Sequence, residues 1–266
     1  MDTLKHYPEV NLLLHTLLEE AQTILDGQFV GMYLFGSLTS GDFDEDSDID
    51  VVVVTADEIS DDTFSALKAM HERIYAGDSP WTIQLEVSYI PKRALRHYNP
   101  TNALHPHIDR GSDEFFMMQH NESWIVQRSV LYERGIALAG PAPQTLIDPI
   151  SPDDLRQAML AILNGWAAQI LEEPVRIEQR GGQTYTVLTM CRILYTLQCG
   201  KVVSKPVAAR WAQETLGNRW VPLIEQTWEG RHNPEVDASP EDVNETLEFI
   251  RFALEQSRKL EAFSID

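Results

Sequence analysis

Leu34-Phe35-Gly36-Ser37-Leu38-Thr39-Ser40-Gly41-Asp42-Phe43-Asp44-Glu45-Asp46-Ser47-Asp48-Ile49-Asp50-Val51-Val52-Val53-Val54 joins two hydrophobic segments through a turn rich in glycine and carboxylates. Residues two apart on a strand share a face, so Asp48 and Asp50 project side by side while Ile49 and the valine run feed a core. Carboxylates held that close repel one another unless a cation neutralises them, and hard oxygen donors suit Mg²⁺. Upstream, Gly36 permits a tight turn that can bring backbone N–H groups, together with the Ser37 hydroxyl, against a phosphate. A phosphate cradle followed by a metal-binding carboxylate pair points to nucleotidyl or phosphoryl transfer.

Working outward, Pro8 to Asp26 places Val10, Leu13, Leu14, Leu17, Ala21, Ile24 and Leu25 at helical spacing, with Gly27 just beyond the end. Phe29–Phe35 and Ile49–Val54 read as strands, and Asp61–Ala76 as a helix. Within Trp81–Ile90, the run Trp81–Tyr89 alternates strictly. That pattern predicts a strand with Trp81, Ile83, Leu85, Val87 and Tyr89 inward and Glu86 on the polar face. If this strand neighbours the one bearing Asp48 and Asp50, three carboxylates converge. They would hold two metal ions, with Glu86 also placed to take a hydroxyl proton. Gly135–Ala139 reads as a last short strand.

Gly140-Pro141-Ala142-Pro143 breaks the pattern, and Ser151-Pro152-Asp153-Asp154 opens a helix with a capping residue and proline in its first turn. The expected domains are therefore 1–148 and 149–266. The first is α/β (α+β), a mixed sheet with flanking helices. The second is an all-α helical bundle, with helices near 153–172, 184–199, 205–216, 219–229 and 239–262. Cys191 and Cys199 lie roughly 12 Å apart along one predicted helix, too far to pair, and read as free core thiols of a reducing compartment.

The 266 residues are 43% apolar and carry 21 Lys+Arg against 41 Asp+Glu, a formal charge of −20. Such a field repels nucleic acid and anionic membranes and favours a small cationic partner. No apolar run reaches the roughly 20 residues of a membrane span, and the N-terminus has no signal-peptide pattern, so a cytoplasmic protein is expected. His105-Pro106-His107 resembles a metal pair, but its rigid proline and the lack of nearby cysteine favour a loop without metal.

Gly-Ser, a spacer, Asp-x-Asp and a later strand carboxylate resemble the nucleotidyltransferase superfamily. Ala137-Leu138-Ala139-Gly140-Pro141, Leu188-Thr189-Met190-Cys191-Arg192, Gly200-Lys201-Val202-Val203-Ser204-Lys205 and Val207-Ala208-Ala209-Arg210-Trp211-Ala212 narrow the resemblance to the aminoglycoside adenylyltransferases that modify streptomycin and spectinomycin. It implies that Asp48, Asp50 and Glu86 bind Mg²⁺, that Glu86 is the base, and that Ser37, Ser47, Arg192 and Lys205 contact ATP. It further implies a helical domain that completes the nucleotide and substrate cleft, and a monomer acting on a cationic aminoglycoside or aminocyclitol. Two cations have separate support: Arg192 sits in an apolar helical stretch where its charge needs a partner, and Lys205 stands at a helix start where a phosphate would bind. The likeness lapses across 98–122 and 172–184. Two other functions remain open: a nucleotidyltransferase with another small molecule or a protein side chain as acceptor, and a nucleotide-binding module without catalysis.

Overall fold

The computed structural model describes residues 6–263, with side chains through residue 260. The chain divides into two compact units, the break falling between Pro149 and Ile150.

In the first unit, helix α1 (Pro8–Leu25) starts on a proline and buries Val10, Leu13, Leu14, Leu17, Ala21 and Leu25 along one stripe. The chain then forms β1 (Phe29–Leu34), a one-turn helix α2 (Ser37–Ser40) and β2 (Ile49–Thr55). Helix α3 (Asp61–Tyr75) begins at Ser60, whose hydroxyl accepts from the Thr63 N–H, and Asp61 and Asp62 complement its positive end. There follow β3 (Leu85–Pro91), the short helix α4 (Lys92–Arg96), β4 (Leu104–Ile108), β5 (Phe115–Gln119), helix α5 (Ser123–Arg134), β6 (Ile136–Ala139) and the one-turn α6 (Pro143–Leu146).

The six strands form one mixed sheet in the order β5-β4-β3-β2-β1-β6, in which only the β2–β3 pair is parallel. β2 and β3 are central, and from Val51 and Val87 onward they are buried on both faces. This is why β2 reads as an unbroken valine run instead of an alternation. Val51, Val53, Val87 and Tyr89 pack with Leu14, Leu17, Leu67 and Met70 of α1 and α3 into the main core.

Two sequence expectations change here. Thr82–Gln84 is a 3₁₀ turn, so the strand begins at Leu85 and Ile83 is exposed. The cause is local: the Thr82 hydroxyl donates to the Ser79 carbonyl and Gln84 N–H to that of Trp81, which coils the segment before it can join the sheet. His105-Pro106-His107 is not a loop but lies in β4, with both imidazoles buried. β4 and β5 themselves lie in the stretch without a sequence assignment.

The second unit contains helices α7 (Pro152–Glu172), α8 (Arg180–Cys199), α9 (Lys205–Thr215), α10 (Val221–Glu229) and α11 (Pro240–Phe263). At α7, Ser151 and Asp154 form a reciprocal capping box with Pro152 at the first position, as the sequence reads. α8 is the central element, packing against α7, α9, α10 and α11. Cys191 is buried on it, but Cys199 is exposed at its C-terminal end, which corrects the expectation of two core thiols. α8 stops at Gly200, whose φ of 65° closes the helix in the left-handed region. Among the described residues no helix is long and apolar enough to cross a membrane.

Candidate active site

Strand pairing brings the three carboxylates together. β2 and β3 run parallel with Asp50 directly opposite Glu86, and Asp48 lies two residues upstream of Asp50. One carboxylate oxygen from each of Asp48, Asp50 and Glu86 lies within 4.8 Å of the others, and all three side chains are half-buried. Three hard oxygen donors at that separation fit a divalent cation of the Mg²⁺ type, with the remaining positions open to water and phosphate.

Gly36 is built against this cluster. Phe35 N–H donates to the Asp50 carbonyl at 3.2 Å, and Gly36 then takes φ 66°. A Cβ on Gly36 would lie 1.9 Å from Asp50 Oδ2, so only glycine lets the backbone pass so close to the carboxylate. Ser37 follows as the first residue of α2 and is half-buried.

Ser47 is buried and its hydroxyl is already used: it donates to Asp44 Oδ1 at 2.7 Å and accepts from the Asp44 N–H at 3.0 Å. It closes the turn that delivers Asp48 to the site. Arg192 and Lys205 belong to the second unit. Arg192 is half-buried on α8, where Tyr185, Thr189 and Arg192 follow at i, i+4 and i+7 along one face. Lys205 is the first residue of α9, with its Nζ 5.9 Å from the centre of the Tyr185 ring.

Three further functional candidates, His107, Asp109 and Arg110, come from β4 and the loop after it; the sequence marked only His107, within the His105-Pro106-His107 pair, and read it as a loop residue without metal. Arg110, in the β4–β5 loop, places Nη1 2.5 Å from Asp48 Oδ1. His107 is 2% exposed, its Nδ1 is 2.8 Å from Ser88 Oγ, and its Nε2 is 2.8 Å from Asp109 Oδ1. Burial lowers the His107 pKa, against the opposing hydrogen bond and charge of Asp109. The signal was present in the sequence: His105, His107 and Asp109 alternate as they would on one strand face.

Comparison with known proteins agrees with this architecture. Residues 15–128 match the nucleotidyltransferase domain family, and residues 145–256 match the family described as aminoglycoside adenylyltransferase, C-terminal domain. An aminoglycoside (3'') (9) adenylyltransferase of Escherichia coli is 24% identical over 92% of this chain and 93% of its own. One of the same description from Rhizobium radiobacter is 26% identical over 95% and 96%, and a spectinomycin 9-adenylyltransferase of Campylobacter jejuni is 24% identical over 91% and 94%. The crystal structure of an Enterococcus faecialis spectinomycin adenyltransferase, solved with ATP and spectinomycin, shares the fold with a TM-score of 0.73 at 16% identity, covering 92% of this chain and 99% of that one. With both domain types matched in order and relatives of one kind along most of its length, the chain belongs to the aminoglycoside adenylyltransferases of the nucleotidyltransferase superfamily.

Proposed function

We propose that this enzyme transfers AMP from ATP to a hydroxyl of an aminoglycoside or aminocyclitol of the spectinomycin or streptomycin type, releasing pyrophosphate. The observation that carries the reading is the convergence of Asp48, Asp50 and Glu86 on one sheet face beside Gly36. Mg²⁺, with two ions as the working number, neutralises triphosphate charge when held by these carboxylates. Asp48 and Asp50 serve as ligands and orient the α-phosphate. Glu86 is both a ligand and the base: it accepts the acceptor's hydroxyl proton as that oxygen bonds to the α-phosphorus and the bond to pyrophosphate breaks. Gly36 and Ser37 face the phosphates from α2, and Ser47 holds the Asp48 turn. Arg192 and Lys205 contact the triphosphate, a role that the aromatic face of Tyr185 supports by fixing Lys205.

The −20 charge suits a cationic acceptor and disfavours a polynucleotide. Dependence on ATP and two free cysteines support a cytoplasmic site of action. The relatives named above are described as acting on aminoglycosides and spectinomycin, which supports this acceptor class. The test is incubation with α-labelled ATP and Mg²⁺ across spectinomycin, streptomycin and unrelated hydroxyl compounds. Label should move to spectinomycin or streptomycin with stoichiometric pyrophosphate. Label that stays on nucleotide with both drugs, or moves to a protein, refutes the proposal.

A further inference from the structure

Beside the Asp48–Asp50–Glu86 cluster the sheet presents a second donor set of different chemistry. β3 pairs antiparallel with β4 through Val87↔Ile108 and Ser88↔His107, which sets Asp109, just past the end of β4, across from Glu86. One ligand atom each from Glu86, His107 and Asp109 lies within 4.8 Å of the others. We propose that Glu86, His107 and Asp109 form a second divalent-cation site, suited to a borderline ion such as Zn²⁺, Co²⁺ or Mn²⁺, that shares Glu86 with the all-carboxylate site.

The donor types argue for that class of ion. An imidazole with two carboxylates is a poor match for Mg²⁺ and a good one for first-row ions that accept nitrogen. The spacing agrees. His107 Nε2 and Asp109 Oδ1 are 2.8 Å apart in a direct hydrogen bond, so opening by only some tenths of an ångström would give the spacing of roughly 3 Å that neighbouring ligand atoms adopt around an ion bound at about 2.0–2.2 Å. The ring is also held as a ligand ring should be. It is buried, meets the Phe116 ring edge-on at 5.8 Å, and has Ser88 Oγ 2.8 Å from Nδ1.

Ser88 gives this arrangement two states of equal bonding. A hydroxyl both donates and accepts. Without an ion, Nε2–H donates to Asp109 and the Ser88 hydroxyl donates to Nδ1. With one, the ring carries its proton on Nδ1 and donates it to Ser88 Oγ, which leaves the Nε2 lone pair for the metal. The tautomer changes and no Ser88 bond is lost, which is the role such outer partners play at histidine metal sites. The Asp109 side chain is 48% exposed, so water ligands have access. Because Glu86 is shared, an ion here draws on the carboxylate that takes the acceptor's proton, and zinc-class ions should slow turnover.

The inference rests on the placement of donors and holds whichever acceptor the enzyme uses. Its test is Co²⁺ titrated into the full chain under saturating Mg²⁺, followed by visible absorption and by equilibrium dialysis. One Co²⁺ per chain that Mg²⁺ does not displace is expected. Asp109→Asn and His107→Gln should weaken it roughly tenfold or more, and Ser88→Ala roughly 10–100-fold. Thermal melts establish folding; Asp109→Asn, altering a half-exposed side chain, decides the matter if His107→Gln does not fold. Complete displacement of Co²⁺ by Mg²⁺, or wild-type Co²⁺ affinity in Asp109→Asn, overturns the proposal.

Discussion

Acidification should unfold the catalytic unit well above the pH at which its carboxylates protonate. His71, His105 and His120 are 1%, 1% and 6% exposed, and burial pushes their pKa values down from 6.5 to about 3, 4 and 3. Neighbouring imidazoles add to the burial effect at His71 and His120. His71 keeps a 2.8 Å hydrogen bond to the Tyr89 hydroxyl, and the other two pack ring against ring at 5.2 Å. The folded pKa of each lies below the unfolded one. Stability is therefore complete above about pH 6.5 and falls as pH drops towards 4, because only the unfolded chain takes up the protons. Each buried histidine costs about 1.4 kcal/mol per pH unit in that window, so three cost about 6 kcal/mol between pH 6.5 and 5. That is on the order of a domain's whole stability of about 5–15 kcal/mol.

All three histidines belong to the first unit, whereas the second contains only His232, so loss should begin in the sheet and spare the helical unit. The Trp124 ring lies 4.5 Å from that of His120 and its fluorescence reports the first event, while circular dichroism follows the helices. The assay is urea denaturation from pH 7.5 to 4.5, in wild type and in His71→Phe, which suits a ring stacked on Phe115 at 5.2 Å. Wild type should lose stability at about 4 kcal/mol per pH unit below 6, and the variant at about two-thirds of that. A flat profile between pH 7 and 5, or an unchanged slope in His71→Phe, would refute the reasoning.

Gly36→Ala, which drives a methyl into Asp50 Oδ2, should leave a folded protein by circular dichroism with kcat reduced roughly 10²-fold, since a displaced ligand misplaces the reacting groups. Glu86→Gln should lower single-turnover rates roughly 10²–10⁴-fold while calorimetry finds much of the ATP affinity retained; near wild-type turnover would remove Glu86 from the mechanism. Asp50→Asn should instead weaken Mg²⁺-dependent nucleotide binding itself, with little rescue at saturating ATP. Arg110→Ala removes the cation that competes for Asp48. The pair is partly exposed and such pairs contribute about 0–1 kcal/mol, so Mg²⁺ affinity should rise no more than roughly fivefold, measured by competition against a fluorescent chelator.

What the sequence disclosed and what it withheld follow from the range over which each signal acts. The Gly36 turn, the Asp48–Asp50 spacing and the Ser151–Asp154 cap are encoded within a few residues, because a bend, a strand face and a helix start are local events. Asp50 opposite Glu86 needs the β2–β3 register as well, and the buried valine run with the alternation after Leu85 was enough to suggest it. The alternation misled at Trp81–Gln84, where Ser79 and Thr82 side-chain bonds outcompete a pattern that hydrophobicity alone assigns to a strand. β4 was harder still. Its Leu104 faces solvent, its centre is Pro106 between two histidines, and its strand character comes from pairing with β3 and β5, which no propensity records. Of the residues that this strand and the following loop contribute, Asp109 and Arg110 were hidden for the same reason, and His107, visible in the His105-Pro106-His107 pair, was read as a loop residue without metal. The local code names the three carboxylates that converge, whereas the groups that surround and compete for them arrive through long-range pairing.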